Sequence, residues 1–178
     1  TEAWQTFLEK LSDRGILSIS RWYFDREPGP GEMYRLTALA NETLRSMGIE
    51  NPRDHMLIVR HMFTRFPSWW PGEGMEGVGV GTLLVGKKAF TQAEIDTIDG
   101  VVEKMDFEWV LSPDAASDDA FAQIASNPDA NEFAKTFPID ISPPTDDSPF
   151  FFQMLHLRDI LNPVIWMQGA NTPNMIAL

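Results

Sequence analysis

Apolar residues recur along this chain with two periods that take turns, and that alternation restricts the fold more than any single motif does. Trp4, Phe7, Leu8 and Leu11 share one helical face, with Thr1 placed to cap the start and Asp13-Arg14-Gly15 to turn the chain at the end. Ile16 to Tyr23 then reads as a strand, and Arg26 to Gly31, with two prolines and two glycines, as the loop after it. Met33, Leu36, Ala40, Leu44 and Met47 predict a second amphipathic helix, stopped at Gly48 by a left-handed cap. Met56 to Val59 and Thr82 to Val85 are short buried strands, separated by an aromatic stretch from Phe63 to Trp70 and by glycines at 72, 74, 77, 79 and 81.

The next helix announces itself chemically. Thr91-Gln-Ala-Glu94 is a capping box, in which hydroxyl and carboxylate satisfy each other's backbone donors, and Phe90 and Ile95 flank it as a hydrophobic staple. Ile95, Ile98, Val102 and Met105 are its expected buried stripe, and Phe107 to Leu111 suits a short extra strand. Beyond Pro113 come short helices around Phe121, Ile124 and Phe133. Ser148-Pro149 then sets a cap and a first-turn proline for a last helix containing Phe151 and Leu155. Helices alternating with extended runs define an α/β domain, taken as residues 1–161 with an uncharged tail, 162–178.

Composition excludes several functions. The 178 residues suffice for one core. Twenty-six acidic against 14 basic residues give a net charge of -12, which repels a phosphate backbone, so no nucleic-acid partner is expected. Between Asp106 and Asp147 ten residues are acidic and one, Lys135, is basic. That segment reads as a solvated face or as a docking surface for a cation or basic partner. The absence of cysteine rules out disulfides, thiol nucleophiles and thiolate metal sites, and His55, His61 and His156 are too scattered to form a cluster. No metal and no cofactor are assigned to this chain, and no catalytic residue.

Two glycine motifs invite a nucleotide reading and fail on context. Gly72-Glu-Gly-Met-Glu-Gly77 has the dinucleotide spacing, but it leads into a strand rather than a helix, so no helix N-terminus faces a phosphate. Gly81 to Lys88 approaches a phosphate loop, but Lys88 replaces the magnesium-binding hydroxyl and Thr-Leu-Leu-Val belongs inside a sheet. These glycines instead let a loop approach the sheet closely and let a strand start without crowding.

Three groups are candidate site residues, each with a structural alternative. Phe66, Trp69 and Trp70 line a substrate pocket or cover one end of the sheet. Arg21, at the end of the first strand, contacts substrate or forms a salt bridge with the acidic segment. Asp146 and Asp147 bind a hard cation or share a proton, or they only favour the positive end of the helix that follows.

Three segments carry a family resemblance: Arg14 to Trp22 (Arg-Gly-Ile-Leu-Ser-Ile-Ser-Arg-Trp), Gly81 to Glu94, and Pro143 to Phe152 (Pro-Pro-Thr-Asp-Asp-Ser-Pro-Phe-Phe-Phe). In this order the chain resembles the second half of a Rossmann-like methyltransferase fold, and more narrowly the spermidine-synthase-like proteins of bacteria. The resemblance implies a small mixed sheet with helices on both faces and a helical C-terminal region. Its last two strands run antiparallel, the final one inserted between its predecessors. It implies that S-adenosylmethionine, or its decarboxylated form, is held by a preceding half together with the catalytic aspartate, neither of which maps here. It places an aromatic contact to the amine substrate in the loop holding Phe66, Trp69 and Trp70. Many such proteins span membranes, which makes this a domain on the cytoplasmic side of a bacterial membrane protein. A half of this kind leaves a sheet edge and an apolar face for the other half or for a second copy to cover. The expected function is thus the substrate-side part of a transferase, inactive alone. The alternative is a non-catalytic interaction or regulatory domain of a membrane protein.

Overall fold

In a computed structural model the described residues are 1–26, 29–63, 77–145, 151–152 and 154. The elements follow the order α1 (Glu2–Lys10), β1 (Ile16–Phe24), α2 (Gly31–Ser46), a 3-10 turn (Pro52–His55), β2 (Met56–Met62), β3 (Val78–Gly86), α3 (Gln92–Met105), β4 (Glu108–Leu111), α4 (Asp119–Ser126) and α5 (Ala130–Thr136). This is a mixed α/β fold with one sheet of four described strands, ordered β1-β3-β2-β4.

β3 lies between β1 and β2 and runs antiparallel to both, as expected of the final strand of the resemblance. β1 and β2 therefore point the same way without touching, and β4 adds a further antiparallel pair on β2. Every hydrogen-bonded pair of described strands is antiparallel. β3 is twice as long as its apolar run suggests, because Gly79 and Gly81, read in sequence as loop, lie inside the strand.

The register sorts side chains onto two faces, since successive residues of a strand point oppositely. Leu17, Ile19, Arg21 and Tyr23 of β1 share a face with Gly81, Leu83 and Val85 of β3 and with Met56, Ile58 and Arg60 of β2. α2 packs against this face. A Cβ on Gly81 would lie 3.0 Å from both Met33 and Tyr23, so the missing side chain is what allows the helix so close. Leu57 and Val59 point to the opposite face and are buried too. α3 lies on that side, tied by the Trp109 indole donating to Asp99 at 2.9 Å.

α2 departs from the expected amphipathic pattern. Thirteen of its 16 residues are buried, including Glu32, Arg35, Thr37, Asn41 and Thr43, because α1, α4 and α5 surround the side that the sheet leaves free. Buried polar groups need partners. Thr37 and Thr43 donate to the carbonyls of Met33 and Leu39, one turn back. Asn41 Nδ2 donates to Ile124 O at 2.6 Å and to Asn127 O at 2.9 Å, and Arg45 Nη2 donates to Ser126 O at 3.0 Å. These bonds satisfy the carbonyls at the end of α4.

The acidic segment is folded against the core, and its acids do structural work. Phe121, Ile124, Ala125, Ala134, Ile139 and Ile141 join the main cluster. Asp118 caps α4 by accepting from Phe121 N at 2.8 Å while Tyr34 Oη donates to its other oxygen at 3.0 Å, and Asp129 caps α5. Asp140 accepts from Ser142 N and stands 3.4 Å from the buried Arg35 guanidinium. The segment is therefore more than the solvated face its charge suggests.

Other expectations are corrected at the periphery. Met105, assigned to a buried stripe, and Phe7, on the apolar face of the first helix, are each 53% exposed, and Thr1 makes no side-chain cap. Instead the Thr1 ammonium donates to Pro144 O at 3.2 Å. Lys87 Nζ donates to Glu9 O at 3.0 Å and Leu11 O at 2.9 Å, closing the C-terminal end of α1, where a cation is favoured. The expected helix after Ser148-Pro149 falls largely outside the described residues, as does the tail 162–178; Phe151 and Phe152 form a turn. Among the described residues no helix is long and apolar enough to cross a membrane.

Candidate functional site

The ends of β1 and β2 and the start of β3 meet at one end of the sheet, and there the chain concentrates charge and aromatic surface. Parity puts Tyr23 and Arg60 on the α2 face. The Arg60 guanidinium sits 4.9 Å from the centre of the Tyr23 ring, a cation–π contact. Its Nε and Nη2 both reach Glu108 Oε2 at 2.7 Å, and Nη1 donates to Asp25 Oδ2 at 3.1 Å. Partial burial works against the Arg60 charge, but Glu108, Tyr23 and Asp25 outweigh it, and the net shift is upward. Burial pushes the Tyr23 hydroxyl upward, with Arg60 acting against that.

On the opposite face His61 stands edge-on to Phe63 at 6.0 Å and Phe107 at 5.6 Å, with Nδ1 3.1 Å from Asp106 O. Trp22 meets Phe63 edge to face at 6.2 Å. The Asp106 carbonyl is available because Asp106 ends α3 in the left-handed conformation, φ 55°, and turns the chain back toward β2.

Arg21 is the one described member of the predicted set, and it is exposed on the α2 face. It donates to Ser20 O at 3.0 Å and lies 5.6 Å from the centre of the Phe151 ring, and among the described residues it forms no ion pair. Arg35 approaches the same ring at 6.0 Å, donates to Phe151 O, and donates to Asp140 O at 2.6 Å. Burial lowers the Arg35 pKa, partly offset by Asp140. Two guanidinium groups thus share one phenyl ring and fix residues 140 and 151 against α2. Phe66, Trp69, Trp70, Asp146 and Asp147 lie outside the described residues.

Tyr23, Arg60 and Glu108 were not singled out from sequence. The usable signal is parity: Arg21 and Tyr23 share a face, and Arg60 joins them once β2 is extended past its apolar run to Met62. Chemically this end holds a cation matched by two carboxylates beside aromatic rings, which suits orientation and contact. Among the described residues no group of three or more His, Asp or Glu is arranged to hold a metal ion.

The second glycine motif resolves as strand, and of the first only Gly77, in a turn, is among the described residues. Gly81 to Gly86 is the interior and end of β3, Lys87 closes α1, and Lys88 stands 3.7 Å from Asp13. The N–H groups at the start of α3 face its own Thr91 and Glu94: Glu94 Oε2 accepts from Thr91 N at 2.9 Å and from Thr91 Oγ1 at 2.8 Å, and Oε1 accepts from Arg14 at 2.6 Å. A groove of about 390 Å³ runs between α3 and β4, lined by Ile95, Asp96, Asp99, Trp109, Ser112 and Ala116 among others. No family model, no curated protein and no solved structure matches the chain.

Proposed function

We propose that this chain is the substrate-side half of a spermidine-synthase-like transferase, borne on the cytoplasmic side of a bacterial membrane protein. The observation that carries the reading is strand order: β3 is inserted antiparallel between β1 and β2, where the resemblance puts the final strand. Phe66, Trp69 and Trp70 stand in sequence between β2 and β3, whose adjoining ends gather Trp22, Tyr23, Arg60 and His61. Their role in this reading is contact with the methylene chain of an amine substrate.

The described residues do not fit a nucleosyl sulfonium cofactor. Gly79 and Gly81 are inside a strand, and the α3 N-terminus is closed by its own capping box. S-adenosylmethionine or its decarboxylated form is therefore held elsewhere in this reading. Such a transferase works by holding donor and nucleophile in line, so the chain alone is inactive. Calorimetry with S-adenosylmethionine and with methylthioadenosine is expected to give no saturable heat, and micromolar binding of either to these 178 residues overturns the reading.

A second reading, a non-catalytic interaction or regulatory domain, is favoured by one observation. Arg60, the best-placed cation at this end, is already matched by Asp25 and Glu108. Titration with spermidine separates the two: the transferase reading expects saturable binding lost in a Trp69→Ala, Trp70→Ala double variant, and the scaffold reading expects none.

A further inference from the structure

α3 is seated lightly on the sheet. Of its 14 residues only Val102 is fully buried, and the stretch from Gln92 to Asp99 forms one side of the groove of about 390 Å³ shared with β4 and the turn after it. Ile95, Val110 and Leu111 give the groove its apolar part, the last two fully buried. The far wall is made of small residues, Ser112, Ala115, Ala116 and Ser117, which keep it open. The backbone of that wall is already paired: Ser112 N donates to Ala115 O and Ser117 N to Val110 O, each at 2.8 Å, and Leu111 bridges Ala116. No strand can add there, so an occupant is recognised through side chains.

The α3 side carries charge. Asp96 and Asp99, one helical turn apart, line the groove beside Trp109, and no lysine, arginine or histidine does. Asp96 Oδ1 accepts from Gln92 Nε2 at 2.8 Å and Asp99 Oδ1 from the Trp109 indole at 2.9 Å, which leaves Oδ2 of each turned to no described donor. Among the described residues neither carboxylate forms an ion pair, whereas Arg60 has two acids and Glu94 has Arg14. Like charges at this spacing repel along a helix, and a cation between them relieves the repulsion.

We propose that this groove docks a basic peptide segment of a partner protein, an aliphatic side chain lying along Val110 and Leu111 and an adjacent arginine or lysine bridging Asp96 and Asp99. The length suits a short segment: at 1.5 Å per residue Gln92 to Asp99 spans about 10 Å, the reach of about three extended residues. An arginine fork has donors for both carboxylates at once. Charge decides against two other occupants. The tail 162–178 has no charged side chain and would leave both acids unmatched, and a second copy would bring a net charge of -12 against the same charge. β4 lies at the opposite edge from β1 in the order β1-β3-β2-β4, so the groove is separate from the edge that the transferase reading gives to a preceding half. The inference stands under either reading of the function.

The probe is a fluorescein-labelled peptide alternating three leucines with two arginines, titrated with the whole chain and read by anisotropy. Saturable binding is expected, and none with glutamate in place of arginine. Asp96→Asn and Asp99→Asn keep the acceptors used by Gln92 and Trp109 and remove the charge, and each is expected to weaken binding about tenfold. Glu103→Gln takes the same charge from the same helix one turn beyond Asp99 and is expected to leave the affinity unchanged. Ala115→Trp, at an exposed position of the far wall, is expected to block binding with an unchanged circular dichroism spectrum. Absence of saturable binding overturns the proposal. So does equal weakening by Glu103→Gln, which would reduce the effect to the net charge. Hexylamine competing as well as the peptide would make this a small-amine site, and self-association lost in Ala115→Trp would give the groove to a second copy; either result overturns the peptide assignment.

Discussion

At Glu94 three donors, the Thr91 N–H, the Arg14 guanidinium and the Thr91 hydroxyl, hold the carboxyl at a pKa of about 2 against an ordinary 4.5. A depressed acid contributes stability that is complete above its unfolded pKa and is lost as the pH falls through the folded one. The stability gap between the wild type and Glu94→Gln should therefore be flat above about pH 5 and close toward about pH 2, as followed by urea unfolding at each pH. Glycines give a second residue-scale test. A Cβ on Gly79 would lie 2.3 Å from the His61 carbonyl oxygen, which is backbone and cannot swing aside, whereas on Gly81 it meets the side chains of Met33 and Tyr23 at 3.0 Å. Overpacking of this kind costs about 1–3 kcal/mol. Gly79→Ala should fall at the upper end of that range and Gly81→Ala at the lower, and equal unfolding midpoints would contradict the packing described.

At the scale of elements, α2 depends on polar contacts as well as apolar ones. Asn41 holds the end of α4 through Ile124 O and Asn127 O and accepts from Arg45 Nε at 2.8 Å. Removing it orphans carbonyls that are buried, at about 1–3 kcal/mol for a group left unsatisfied. Asn41→Ala should cost about 2–3 kcal/mol in thermal unfolding, and Asn41→Leu should not recover it, because volume is not what is lost. Much of this element pattern was legible in the sequence. The capping box at Thr91 and Glu94 forms as written, Gly48 takes the left-handed conformation with φ 85°, and the short strand before Leu111 is present. What periodicity could not show was the burial of Glu32, Arg35 and Asn41, since a helix enclosed on all sides has no polar face to read. Nor could propensity place Gly79 and Gly81 inside a strand: glycine looks like loop until a helix is known to press on it. The site was less legible still. Arg21 was chosen for its place at a strand end, yet β1 runs three residues past it to Phe24, while Arg60 and Glu108 become partners only through a cross-strand register that local sequence does not encode.

For the whole molecule, charge and architecture set different terms. A net charge of -12 means that two copies of the chain repel each other at long range. The topology that supports the functional reading was expected from the resemblance of three segments rather than from periodicity, which is blind to strand order.

The enclosure of α2 also decides the order in which parts of the protein open in time. Its amides are covered by the sheet, α1, α4 and α5 together, so they are exposed only when the fold as a whole comes apart. α3, with Val102 as its single fully buried residue and ties at Thr91, Glu94 and Asp99, can lift and reclose while the rest persists. In deuterium exchange α3 should label early and α2 last, at the rate of global unfolding. Within a single native population the chain would then keep two clocks, a fast one on the face under α3 and a slow one along its central helix.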